Sequence, residues 1–228
     1  MQSVTNISRE AIQNGAIEAM AKEAADLGLV RLTTAEERRQ SWQRMLTENP
    51  NSDGRVWVFA YGSLLWNPAF HFTEQVDAYL NGYHRDFCLR TYIGRGNLEQ
   101  PGLVLGLEKG QHCYGQALCM APEHLDSELD ILWAREMVTG AYTPMWLPVD
   151  TQAEGSVHAI VFVMDRDYPQ YAGDLSFEER CQDLALGVGP LGRASDYLLD
   201  TVSALESMNI VDDLLERYAC RVRALMSD

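Results

Sequence analysis

The spacing of apolar positions changes period twice along the chain. Near the start, Ile7, Ala11, Ile17, Ala21 and Leu27 recur at helical spacing, and Gly28 is a natural stop. Thr33-Thr34-Ala35-Glu36 has the composition of a capping box, in which hydroxyl and carboxylate satisfy free amides reciprocally, and it predicts a second helix toward Leu46. The Asn- and Ser-rich segment from Asn49 to Gly54, with Pro50, then breaks the chain. From Arg55 the period becomes two. Val56-Trp57-Val58-Phe59 is a nearly continuous apolar run that suits a strand buried on both faces. Val76 to Leu80, Arg85 to Thr91, Leu103 to Glu108 and Tyr114 to Met120 are further strands, and Gly110 predicts a hairpin between the last two.

Pro122 opens a helix carrying Leu125, Leu129 and Leu132 on one face, because proline fits a first helical turn. Tyr142 to Val149 and Val157 to Met164 return to strand, and beyond Pro169 the pattern is helical to the end. There Ser176-Phe177-Glu178-Glu179 is a second capping box, and Tyr197, Leu198, Val202 and Leu205 form an apolar face. The expected class is α+β, a mixed or closed sheet of about six strands with helices around it. Residues 1–54 read as a helical extension and 55–228 as the main domain. The extension either packs beside that domain or mediates oligomerisation; oligomeric state itself is not legible.

At 228 residues, with 46% hydrophobic and 22% charged residues, the chain can bury a substantial core. Its net charge of −15 argues against broad nucleic-acid binding or adsorption to anionic lipid, which need basic surface. The longest strongly apolar stretch, Val157 to Met164, is far short of a membrane span. The N-terminus lacks the basic-then-apolar order of a signal peptide, and the five cysteines include no CxxC pair. A cytoplasmic protein is expected.

The five histidines show no HxH or HExxH spacing, so no metal site is expected, and no GxGxxG, Walker or GxSxG motif is present. Two segments remain. In Phe59-Ala60-Tyr61-Gly62-Ser63-Leu64-Leu65-Trp66 a buried strand ends abruptly at Gly-Ser, which can expose consecutive amides to a carboxylate or oxyanion. Tyr-Gly-Ser alone is also an ordinary turn. Trp133-Ala134-Arg135-Glu136 ends a helix, and an acid beside large apolar residues would be partly desolvated, with its proton affinity raised. The plainer alternative is an exposed glutamate paired with Arg135. The aromatics Trp57, Phe59, Phe70, Phe72 and Phe87 read as core, and Asp212-Asp213 with Glu216 as a solvated helix face.

Taken together, Val58 to Trp66, Gly94-Arg95-Gly96 with Pro101-Gly102, Arg135-Glu136 with Gly140-Ala141-Tyr142, and Asp167-Tyr168-Pro169-Gln170-Tyr171-Ala172-Gly173 resemble the ChaC family, over about residues 55 to 225. These are the glutathione-specific γ-glutamylcyclotransferases. The resemblance implies a small β-barrel with surrounding helices, and cleavage of glutathione to 5-oxoproline and Cys-Gly without metal or organic cofactor. It implies that Tyr61, Gly62, Ser63 and Leu64 cradle the γ-glutamyl group, that Glu136 is catalytic, and that Tyr142 and Tyr171 are pocket tyrosines. Ala141 stands where many relatives have glycine, which is tolerable unless that backbone needs positive φ.

The residues suit such chemistry. The substrate's own α-amine attacks its own γ-carbonyl, so no enzyme nucleophile is needed, and one carboxylate can serve as base and then as acid. Arg95 is the candidate for the glycyl carboxylate of glutathione, with Arg90 behind it. Two other readings stay open: a cyclotransferase for other γ-glutamyl compounds, and a non-catalytic protein that binds them or regulates cation transport.

Overall fold

In the computed structural model, which describes residues 7–227, the run Trp57–Ala60 (β1) is the strand about which the fold is organised. Successive side chains of a strand point to opposite faces, and here both faces are covered. Trp57 and Phe59 enter one core with Leu80, Phe87 and Leu105, whereas Val58 and Ala60 enter another with Leu132, Trp133 and Phe162. Burying each large side chain of this kind contributes about 1.5–3 kcal/mol.

β1 is one stave of a closed barrel that also contains Phe72–Thr91 (β2), Gly102–Met120 (β3), Tyr142–Thr151 (β4) and Gly155–Met164 (β5), in the order β1-β3-β2-β4-β5. β1 runs parallel to β5, with Trp57 opposite Ala159; the other pairings are antiparallel. Five strands close the barrel where about six were expected from the period-two runs. The four central runs read as separate strands are two long ones. β2 carries register shifts at Asn81/Tyr83 and Phe87/Leu89 instead of a break. Gly110 lies within β3, where a Cβ would fall 2.0 Å from His84 Nδ1 across the ladder. It marks a close approach and not a reversal. The β2–β3 hairpin turns instead through residues 92–101, which contain Gly94-Arg95-Gly96.

Seven helices surround the barrel among the described residues. The first predicted helix is two, Arg9–Gln13 (α1) and Ala16–Asp26 (α2), broken at Asn14–Gly15. Ala35–Thr47 (α3) opens with a capping box one residue later than the sequence suggests, Thr34 with Glu37. Thr33 is engaged elsewhere: its amide donates to the Val138 carbonyl at 2.9 Å, and its hydroxyl donates to that of Met137 at 2.8 Å. Leu125–Glu136 (α4) packs on β1 and β5 through Leu129, Leu132 and Trp133. Phe177–Leu186 (α5), capped by Ser176 and Glu179, Ala194–Ser207 (α6) and Asp213–Ser227 (α7) cover the other core. Between α5 and α6 lies a two-stranded hairpin, Val188–Gly189 (β6) and Gly192–Arg193 (β7).

Two side chains depart from expectation. Phe72 is 37% exposed on the barrel surface, because it occupies the first position of β2, beyond the covering helices. Asp212 is no mere solvated acid: its carboxylate lies 3.1 Å from the buried Arg85 guanidinium, drawn there by a cation with little access to water. Among the described residues, no helix is long and apolar enough to cross a membrane.

Candidate active site

β1 delivers its last side chains to a cavity of about 210 Å³. Tyr61 is held at both ends. Its hydroxyl donates to the Phe162 carbonyl at 2.9 Å, and its own carbonyl accepts from Arg85 Nη1 at 2.6 Å. Gly62 follows, and Ser63–Leu65 form a single 3₁₀ turn closed by the Leu65 amide on the Gly62 carbonyl at 2.9 Å. The opening amides of such a turn have no carbonyl within it to bond. A Cβ at residue 62 would come within 2.9 Å of Tyr197 Oη, so glycine is what lets this backbone pass beside α6.

Glu136 is the last residue of α4, and its side chain is 16% exposed. Both readings of the sequence are half right: the carboxylate is paired with Arg135, Oε1 to Nε at 2.9 Å, and it is nevertheless largely buried. Arg135 does more than neutralise. Its Nη2 donates to Ser63 Oγ at 2.7 Å and its Nη1 to the Asn67 carbonyl, which fastens the end of α4 to the 61–67 loop. Burial raises the Glu136 pKa above the usual carboxylate value, and the adjacent Arg135 only partly offsets it. A carboxyl so placed exchanges protons closer to neutrality than a surface glutamate does.

Three tyrosines share this cavity. Tyr142 donates its hydroxyl to the Leu105 carbonyl at 2.8 Å. Tyr197, on α6, packs edge-on against Trp66 and Phe87, at 5.5 and 6.0 Å between ring centres. Burial first, and the charge of Glu136 in addition, push Tyr61 and Tyr142 well above the ordinary phenol value and Tyr197 up to about 12. All three therefore remain protonated at neutral pH. Ala141, preceding Tyr142, is buried and is not among the positive-φ residues, so its methyl is accommodated.

Arg95 reaches the same cavity from the β2–β3 connection. It is buried, its Nη1 donates to the Arg193 carbonyl at 3.3 Å, and its guanidinium lies 5.7 Å from the Tyr197 ring centre. Burial lowers its pKa, against the pull of Tyr197, Asp200 and Asp196.

The structure thus brings Tyr61, Gly62, Ser63, Leu64, Arg95, Glu136 and Tyr142 to one cavity. Tyr171 is not among its lining. It bridges to Leu89 on the barrel and packs with Cys88, Ala141 and Met164, while its hydroxyl engages Glu108. Arg90 is likewise turned away, paired with Asp183 at 2.8 Å. Tyr197 is the cavity tyrosine that the sequence did not single out. Its one signal was a hydroxyl on an otherwise apolar helix face, which a buried tyrosine must satisfy. Among the described residues no three His, Cys, Asp or Glu side chains are placed to hold a metal ion.

Comparison with known proteins gives this geometry a context. The chain is 40% identical over 197 residues to the glutathione-specific γ-glutamylcyclotransferase of Escherichia coli K12, covering 86% of this chain and 85% of that one. It is 34% identical over 150 residues to glutathione-specific γ-glutamylcyclotransferase 1 of Danio rerio, covering 63% and 76%. The crystal structure of a yeast γ-glutamyl cyclotransferase specific to glutathione shares the fold, with a TM-score of 0.69 at 21% identity over 75% of this chain and 96% of the yeast one. The ChaC-like protein family matches residues 56–225, from the first residue before β1 into α7. A barrel whose first strand ends at Tyr61-Gly62-Ser63, with a buried glutamate at the end of α4, is thus accompanied by sequence similarity along most of its length, and the chain belongs to the ChaC-like family.

Proposed function

We propose that this protein cleaves glutathione to 5-oxoproline and Cys-Gly, with Glu136 as the catalytic acid–base residue. The reading is supported by the names of its relatives and, above all, by one observation: a buried carboxyl of raised proton affinity shares a cavity with Tyr61, Gly62, Ser63, Leu64, Tyr142 and Tyr197.

The reaction asks little covalent chemistry of the protein. Glu136 takes a proton from the α-ammonium, the freed amine attacks the γ-carbonyl, and a C–N bond closes the five-membered ring. The new ring nitrogen gives up its second proton as the lactam forms, and the γ-carbonyl loses its bond to the cysteinyl nitrogen, which takes a proton from Glu136 as it leaves and ends as the ammonium group of Cys-Gly. No water is consumed. The cavity's main task is to fold the γ-glutamyl chain so that amine and carbonyl meet in a near-attack geometry.

In this reading the turn amides of residues 62–64 receive the α-carboxylate or the developing oxyanion, Tyr142 and Tyr197 fix the γ-glutamyl group, and Arg95 holds the glycyl carboxylate. Arg135 keeps Glu136 and Ser63 in register. Action in a reducing cytoplasm is in keeping with five free cysteines. The test is incubation of the purified protein with reduced glutathione, following both products by mass spectrometry. Equimolar 5-oxoproline and Cys-Gly support the proposal; unchanged glutathione from folded protein refutes it.

A further inference from the structure

The cavity has a wall that the cyclisation chemistry does not use. Ile7, Ile17 of α2 and Met20 of α2 line it, and among the described residues they are the only lining residues that precede β1. Ile7, Ile12 and Ile17 form one apolar cluster with Ile131 and Val138, and Met20 and Leu191 pack against it. The cluster therefore reaches from α4, which carries Glu136, to the turn of the β6–β7 hairpin.

This wall is firmly anchored. Arg9 of α1 donates to both oxygens of Glu128 on α4, at 2.5 and 2.8 Å, and Glu128 is fully buried. The Ile7 carbonyl accepts from Asn67 Nδ2 at 3.0 Å, and Asn67 is the residue whose own carbonyl receives Arg135. Beyond α2, the Leu29 carbonyl accepts from Gln170 Nε2 at 2.6 Å, and Thr33 bonds the Met137 and Val138 carbonyls directly after Glu136.

We propose that Ile7 and α2, held in place by α1, build the subsite for the residue attached to the γ-carbonyl, and that Ile17 and Met20 restrict it to a small, weakly polar side chain. The inference rests on the glutathione reading and deepens it. Among the described residues, every charged or hydrogen-bonding side chain of the cavity comes from β1 onward; Ile7 and α2 contribute only aliphatic and thioether surface. An ammonium or carboxylate placed on such surface would lose its hydration without compensation. The γ-glutamyl moiety bears both charges, and the glycyl end bears another carboxylate. Apart from the two γ-glutamyl methylenes, which are tethered between that moiety's own charges and the reacting carbonyl, the cysteinyl side chain is the small near-hydrophobe of the substrate. The apolar wall therefore faces it, and the bulk of Ile17 and Met20 sets how much side chain fits.

The test measures kcat/KM of the full-length chain for glutathione, for γ-glutamyl-2-aminobutyryl-glycine and for γ-glutamyl-leucyl-glycine, by 5-oxoproline release. Wild-type protein should accept the aminobutyryl analogue and discriminate against the leucyl one. Met20→Ala and Ile17→Ala should each raise the leucyl-to-glutathione ratio by roughly tenfold or more, since one methylene of misfit in an apolar pocket is worth roughly 10–200-fold. Leu27→Ala, exposed at the C-terminal end of α2, should leave the ratio as in wild type. A ratio is independent of the fraction of folded enzyme, and the half-buried Met20 provides the test if the buried Ile17 does not tolerate truncation. Ratios within about twofold of wild type in both cavity variants would overturn the inference. Wild-type protein that releases no 5-oxoproline from glutathione would instead overturn the activity, and this subsite with it.

Discussion

The hydroxyl of Tyr197 stands 2.9 Å from the point where a side chain on residue 62 would begin. Tyr197 cannot swing aside, because its ring is wedged between Trp66 and Phe87 and it is 7% exposed. Gly62→Ala should therefore displace the 62–64 turn, lowering kcat/KM for glutathione at least ~10-fold and stability by about 1–3 kcal/mol, the usual cost of overpacking. In a Tyr197→Phe background the same substitution should destabilise less, because the offending oxygen is gone. Urea unfolding of the four proteins checks this; equal losses in both backgrounds would show that the hydroxyl is not the obstacle.

Glu136→Gln preserves the shape of the side chain and removes its titration. Turnover of glutathione should fall by about 10²–10⁴, the usual contribution of general acid–base catalysis. Glutathione should still bind, as measured by calorimetry. Retention of a tenth of the wild-type kcat would contradict the assignment.

The same residue has a consequence for stability. Burial raises the Glu136 pKa above its ordinary 4.5, so the folded state holds this proton more tightly than the unfolded chain does. The stabilisation it provides is complete below pH 4.5 and is lost as pH rises through the folded value. Glu136→Gln should accordingly raise Tm relative to wild type at neutral pH, with the gain disappearing in acid. A Tm difference independent of pH would mean that the carboxylate bears no such burden.

Arg95→Ala tests the anchoring of the glycyl carboxylate. KM for glutathione should rise by roughly tenfold or more, the loss of about 1.5–3 kcal/mol from a charge-assisted hydrogen bond. KM for γ-glutamyl-cysteine amide, which lacks that carboxylate, should barely change. Equal effects on both substrates would assign Arg95 a structural role, through Arg193 and the Tyr197 ring.

Arg9→Ala removes a cation from the buried Glu128. Burial raises the Glu128 pKa, but bonds from Arg9 and from the amide and ring of His71 outweigh it and hold the carboxyl below its usual value. The pair thus stabilises the fold above the carboxylate range, and the contribution fades as pH falls through it. The variant should lose about 1–3 kcal/mol at neutral pH, since Arg9 keeps some access to solvent, and less in acid. Chemical denaturation at both pH values decides the matter.

Much of this protein was legible in residues close together in sequence. The four-residue run of β1 is apolar on both faces and could only be a central strand, and Ser176 with Glu179 could only open a helix. Tyr61 to Leu64 and Glu136 were candidates as an abrupt strand end and an acid among large apolar side chains, but each pattern alone also fits an ordinary turn or a surface ion pair, and it was the resemblance to the ChaC family that set them apart. Long strands with bulges were harder, since Gly110 looks the same in sequence whether the chain turns there or His84 crosses above it. Tertiary structure alone decided the rest. Tyr197 meets Gly62 only once α6 docks on the barrel, and Tyr171 leaves the cavity because its strand-like bridge to Leu89 points it toward Glu108. Ile17 and Met20 reach the cavity across more than a hundred residues of chain, through Arg9 on Glu128. Periodicity records which face of an element is apolar; which other element covers that face, and what lies between them, is set by packing.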